Sequence, residues 1–130
     1  MDTREVLKTC RNEGVRFLRL QFTDLMGRNK SVEVPSSQFE KALEGQILFD
    51  GSSIEGFSRV EESDMLLHPD LATLCVLPWE ESPGWRIARL ICDVRRPNGS
   101  RFDGCPRNCL KTALDDSRQL GFQVRIGVEI

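Results

Sequence analysis

The sequence contains one histidine, His68, and that scarcity removes whole classes of chemistry at once. No cysteine stands beside a histidine and no G-x-S-x-G elbow occurs, so no nucleophile triad is legible. Glycine-rich phosphate cradles are missing too: there is no P-loop and no G-x-G-x-x-G. No apolar run approaches the roughly 18 residues of a membrane helix. The opening MDTREVLKTC is charged where an export signal is apolar. A basic excess is lacking as well: 18 Lys+Arg against 20 Asp+Glu leave a net charge of -2. That balance draws the chain to neither nucleic acid nor an anionic membrane. No internal repeat or low-complexity tract interrupts it.

What is present is an ordinary globular composition. The chain has 130 residues, of which 39% are hydrophobic and 29% charged. One domain of this size hides roughly two-thirds of its unfolded surface, enough for one core. Disordered, collagen-like and disulfide-dense classes are excluded. Cys10, Cys75, Cys92, Cys105 and Cys109 make an odd count with no secretion signal, which reads as reduced thiols and a cytoplasmic location. Cys105 and Cys109 are spaced C-x3-C with no second pair or neighbouring histidine, so they read as small apolar or surface thiols rather than a zinc site.

Periodicity organises the rest. Asp2 and Glu5 form a capping-box pattern ahead of a helix whose Val6, Leu7 and Cys10 share a face, and Gly14 stops it. Residues 15–22 alternate, with Leu18, Leu20 and Phe22 on one side; 30–35 repeat this with Val32 and Val34, and the TDLMGRN turn makes the pair a hairpin. Ser37 and Glu40 suggest a second capping box, Phe39 and Leu43 an i,i+4 contact, and Gly45 the end of a short helix. Phe49–Asp50 reads as a short strand before an irregular, acidic stretch reaching His68. Residues 71–77 and 85–94 read as buried strands joined by PWEESPG, followed by an RRPNGS turn. A third helix spans 105–121, with Pro106 at its start and Leu110, Ala113, Leu114 and Ser117 expected to face the core. Residues 123–130 alternate again through Val124, Ile126 and Val128, and a strand ending at its apolar peak suggests a chain cut short. The pattern is α+β: a mixed sheet with helices packed on one face.

The densest unusual segment is FDGSSIEGFSRVEESDM. Asp50-Gly51-Ser52-Ser53 gathers a carboxylate, a small residue and two hydroxyls in one turn, and Glu55, Glu61, Glu62 and Asp64 add negative charge. Gly51 and Gly56 permit positive φ and close backbone approach. Such a run is most often a solvated acidic loop; as a site it favours a cationic ligand or a closing lid over phosphate, which acids repel. Glu129, on the polar side of the last strand, carries no ligand signal by itself.

At FDGSSIEGF the sequence resembles the N-terminal domain of type I glutamine synthetase. VRFLRLQFTDLMGRNKSVEVP, ESDMLLHPDLATLCVLPW, ARLICDV, GCPRNCL and GVEI resemble further blocks of that family in the same order. The resemblance implies a β-grasp-like domain over residues 1–121, with 122–130 leading into a larger catalytic domain. It implies an ATP-dependent ligase that condenses glutamate and ammonia through γ-glutamyl phosphate, with two Mg²⁺ or Mn²⁺ ions per active site. Sites would lie between subunits of a homo-oligomeric ring, two rings stacking as a dodecamer, with this domain lending its Asp-Gly-Ser-Ser loop to its neighbour.

Carried over by position, Asp50 matches the acid that binds ammonium and takes up its proton. Ser53 shapes the substrate site, Asp64 is a second acid on the shared edge, Phe57 lies near the nucleotide, and Glu129 is the first metal-ligating glutamate. One departure stands out: the family has an acid where this chain has Cys105, a poor helix cap. Two other readings share these motifs, a γ-glutamyl-amine ligase acting on polyamines and a catalytically silent structural homologue. In every case the 130-residue chain alone is expected to be inactive.

Overall fold

The computed structural model describes residues 1–54, 63–82 and 84–129. Glu55, Phe57, Glu61 and Glu62 lie outside the described residues. The elements run α1 (Thr3–Asn12), β1 (Val15–Thr23), β2 (Asn29–Pro35), α2 (Phe39–Leu43), β3 (Ile47–Asp50), β4 (Asp64–Ser82), β5 (Trp85–Arg95) and α3 (Pro106–Gln119). Five strands form one mixed sheet in the order β2-β1-β5-β4-β3. β1 and β5 pair in parallel at its centre, and the other neighbours are antiparallel.

Local chemistry sets the first elements. The Asp2 carboxylate accepts from the Glu5 amide at 2.8 Å while the Asp2 amide donates back to Glu5 at 2.8 Å, so the capping box closes as the spacing predicts. Along β1, Leu18, Leu20 and Phe22 are buried and Arg19 takes the other face, where its Nε donates to Glu33 of β2 at 2.7 Å. The hairpin turn is held by Asp24, which accepts from the amides of Met26 and Arg28 at 3.0 and 2.8 Å.

The core lies between one face of the sheet and helices α1 and α2. Val6 and Cys10 of α1, and Phe39, Ala42 and Leu43 of α2, join Leu18, Leu20, Leu67, Leu90 and Val94 from the strands. α3 stands apart from that layer. Its Asn108 side chain donates to the Val94 carbonyl at 3.1 Å, and its cations reach Asp93 of β5. Asp93 alternates with the core residues Cys92 and Val94, so it projects to the opposite face of the sheet.

Several expectations are corrected. Ser37 caps nothing: Gln38 holds the cap position of α2, without a side-chain bond, because the chain leaves Pro35 through a 3-10 turn that takes up Ser36–Gln38. The acidic stretch ends before β4 begins at Asp64, so residues 64–68 belong to a strand; the buried Met65 and Leu67 supply an alternation that the flanking acids masked. The PWEESPG connection is also strand as far as Ser82.

The α3 stripe does not face the core. Leu110 is 50% exposed and Ala113 is exposed, while Lys111, expected in water, is half-buried against Asp93. The core is already filled by α1 and α2, and α3 meets the sheet through polar groups instead. Residues 123–129 form neither helix nor strand, since no described strand lies alongside to accept their hydrogen bonds. Cys105 indeed gives α3 no side-chain cap; its thiol is buried and accepts from the Val94 amide at 3.3 Å.

Candidate functional site

The site grows from the end of β3. Phe49 anchors that strand by packing on Phe22, with ring centroids 4.8 Å apart. The chain then turns sharply through the 3-10 segment Gly51–Ser53, and Asp50 is its cap. The Asp50 Oδ1 accepts from the Ser52 amide at 2.9 Å and from the Ser52 hydroxyl at 2.6 Å. Gly51 does not take a positive φ; it is buried, and its amide donates to the Ser63 carbonyl at 2.6 Å. That bond clamps the start of the acidic segment to its end.

The register of β3 on β4 brings two candidate acids together. Phe49 faces Met65, and Asp50 directly faces Asp64. Residues opposed in this way hold their Cβ atoms roughly 4.5–5.5 Å apart, and like charges so placed repel. Both side chains are exposed, so water screens the repulsion. The Ser52 hydroxyl and amide stabilise the Asp50 carboxylate and hold its pKa below the usual aspartate value. An exposed pair of carboxylates of this kind can attract a cation, and a carboxylate can accept a proton from a cationic nucleophile. The sequence places Ser52 among the hydroxyls of this turn without a role of its own; the readable signal for one is an Asp followed two residues later by a hydrogen-bond donor.

The other expected residues fall differently. The backbone of Ser53 lies in the 3-10 turn beside Asp50. Phe57 is outside the described residues. Glu129 is exposed on the irregular segment after α3. Among the described residues no three His, Cys, Asp or Glu side chains gather as a metal site. Glu129 offers one carboxylate where Mg²⁺ takes about six oxygen ligands. The described residues therefore do not by themselves fit a two-cation centre.

This geometry has close counterparts. The glutamine synthetase beta-Grasp domain family matches residues 14–97, more than half of the chain. The chain belongs to that family. It is 58% identical over 120 residues to the glutamine synthetase of Thermus thermophilus, covering 91% of this chain and 27% of that protein. It is 54% identical over 118 residues to the glutamine synthetase of Staphylococcus aureus, covering 91% of this chain and 26% of that protein. The Plasmodium falciparum glutamine synthetase structure superposes with a TM-score of 0.81 at 27% identity, over 93% of this chain and 23% of that one. A GmaS/ADP complex superposes at 0.78 with 27% identity, over 88% of this chain and 26% of that one. The chain thus spans about a quarter of the length of the glutamine synthetases it matches, and its β-grasp sheet is the part they share.

Proposed function

We infer that this β-grasp domain serves an ATP-dependent ligase that joins glutamate to ammonia through γ-glutamyl phosphate, and that its Asp50 turn completes the active site of a neighbouring subunit in a homo-oligomeric ring. The observation that carries this reading is the exposed pairing of Asp50 with Asp64 at the open end of β3 and β4. Asp50 is exposed, and the Ser52 hydroxyl beside it stabilises its ionised form. It suits capture of ammonium followed by uptake of its proton, which leaves neutral ammonia as the nucleophile.

In this reading the family resemblance assigns Ser53 to the substrate site, Asp64 to the shared edge and Phe57 to the nucleotide vicinity. Glu129 contributes a single ligand to Mg²⁺ or Mn²⁺, whose other ligands come from outside this chain. The metal supplies neutralisation of phosphoryl charge when bound. The assignment carries with it a dodecameric assembly and a cytoplasmic location. No helix among the described residues is long and apolar enough to cross a membrane.

The test is Asp50→Ala in the full-length ligase. Turnover with ammonia is expected to fall by about 10²-fold or more, the usual scale for losing a general base. Unchanged turnover would refute the assignment. The 130-residue chain alone is expected to form no glutamine from glutamate, ATP and ammonia, and detectable ATP-dependent product would show that the turn needs no neighbour.

A further inference from the structure

At the end of the sheet opposite the Asp50 turn, the start of β1 and the two core helices border an open groove of about 600 Å³. Leu7, Val15 and Phe39 give it an apolar floor; Arg11, Arg16, Ser36, Ser37 and Glu40 line its polar walls. Gly14 and Gly84 border it without side chains, and a Cβ on Gly14 would come within 4.0 Å of the Gly84 carbonyl.

Three arginines crowd this corner, and they divide into two kinds. Arg86 is committed, its Nη1 donating to Glu13 at 2.7 Å. Among the described residues, the exposed Arg11 and Arg16 form no ion pair and no side-chain hydrogen bond, although Glu40 lines the same groove. Ser37, released from the helix-capping role its sequence context suggested, and Ser36 likewise leave their hydroxyls without a partner among the described residues. Two free guanidiniums and two free hydroxyls above an apolar floor are complementary to an oxyanion on a short hydrocarbon body. Guanidinium binds such heads in planar, bidentate fashion, and hydroxyls supply further donors.

We propose that this groove is a binding site for a small organic anion, with a carboxylate or phosphoryl head held between Arg11 and Arg16 and an apolar body lying toward Leu7 and Phe39. Glu40 sets the limit of the site: it disfavours a second negative charge at the far wall, so a singly charged head is preferred over a dianion of the same size. The site is independent of the ligase assignment, because none of its residues belongs to the Asp50 turn.

Amide chemical shifts of the 130-residue chain, followed during titration with sodium hexanoate, sodium phosphate and sodium chloride at equal ionic strength, test the proposal. Saturable shifts at Arg11, Arg16, Ser36 and Ser37 are expected with hexanoate or phosphate and not with chloride. Stronger binding of hexanoate identifies a carboxylate head with a body; stronger binding of phosphate identifies a phosphoryl head. Arg11→Gln and Arg16→Gln should each weaken binding about fivefold or more, the scale of a lost charge-assisted contact. Glu40→Gln should strengthen it about twofold by removing a like charge. That opposite sign separates a charge effect from a loss of structure. Absence of saturation, equal shifts with chloride, or binding indifferent to both arginine variants overturns the proposal.

Discussion

Asp50 and Asp64 stand directly across from one another at the last register position of β3 and β4, two carboxylates facing each other at an open sheet end. Such a pair is unfavourable within the domain unless each charge has another use. Ser52 meets part of that requirement by donating twice to Asp50. Both side chains are exposed at that sheet end.

Removing the Ser52 hydroxyl tests how that charge is kept. Ser52→Ala should raise the Asp50 pKa toward the ordinary aspartate value, because the side-chain hydrogen bond is the larger of its two stabilising contacts. The sign for stability follows. A carboxylate with a depressed folded pKa contributes stability above its unfolded pKa and loses it as pH falls through the folded value. Carboxyl carbon shifts titrated through the acid range would check it; an unmoved Asp50 midpoint would show that Ser52 does not set it.

His68 gives a second pH dependence, of opposite chemical origin. It lies across from Asp93 in the β4–β5 register. Burial, chiefly, and the Arg95 charge lower its pKa; Asp93 opposes this and Lys111 adds to it. The folded chain therefore takes up a proton at His68 less readily than the unfolded chain. Stability is present above the unfolded pKa of about 6.5 and declines as pH falls below it. Thermal unfolding at pH 7.5 and 5.5 should show a drop that His68→Gln reduces. An equal drop in the variant would assign the effect to other groups.

The contrast between strand and helix leucines is expected to be large. Leu90 and Leu67 are fully buried, and Leu90→Ala should cost about 2–5 kcal/mol. Leu110 is half exposed on α3, and Leu110→Ala should change the stability of this chain by less than about 0.5 kcal/mol. Chemical denaturation of both variants checks this. Similar losses would restore α3 to the core.

α3 is tied to the sheet by charge. Asp93 is 7% exposed; its Oδ1 accepts from Arg107 Nε at 3.0 Å and its Oδ2 from Lys111 Nζ at 2.6 Å, while Arg107 also reaches Asp70 of β4. Asp93→Asn should destabilise the chain by about 1–3 kcal/mol, since half-buried Lys111 loses its counter-charge and Arg107 keeps only Asp70. Asp115→Asn, which breaks the exposed i,i+3 pair with Arg118, should cost under about 0.5 kcal/mol. Calorimetric midpoints for the two variants should differ clearly. Equal midpoints would mean that Asp93 anchors nothing.

Local order was legible because its causes are local. The Asp2–Glu5 box, the alternation of Leu18, Leu20 and Phe22, the hairpin turn at Gly27 and the poor cap at Cys105 each depend on neighbours within a few residues. The same holds for Asp50, whose run of a carboxylate, a small residue and two hydroxyls announces a turn with exposed polar atoms. Misreadings arose where a distant element decided the outcome. Leu110, Ala113 and Leu114 carry the spacing of a core stripe, yet α1 and α2 occupy the core first. The alternation of Val124, Ile126 and Val128 needs a neighbouring strand to become one.

The chain's residues alone determined which segments turn, which alternate and which stay charged, because these follow from side-chain shape and from bonds closed within a turn. Tertiary structure alone decided that Asp64 faces Asp50, that Asp93 gathers Arg107 and Lys111, and that Arg11 and Arg16 share one groove. The first two meetings join residues well separated in sequence, and the third sets Arg11 and Arg16 beside Ser36, Ser37 and Glu40, which lie well along the chain. Strand register and the order in which helices claim the core bring them about, and neither is written in any single stretch of the chain.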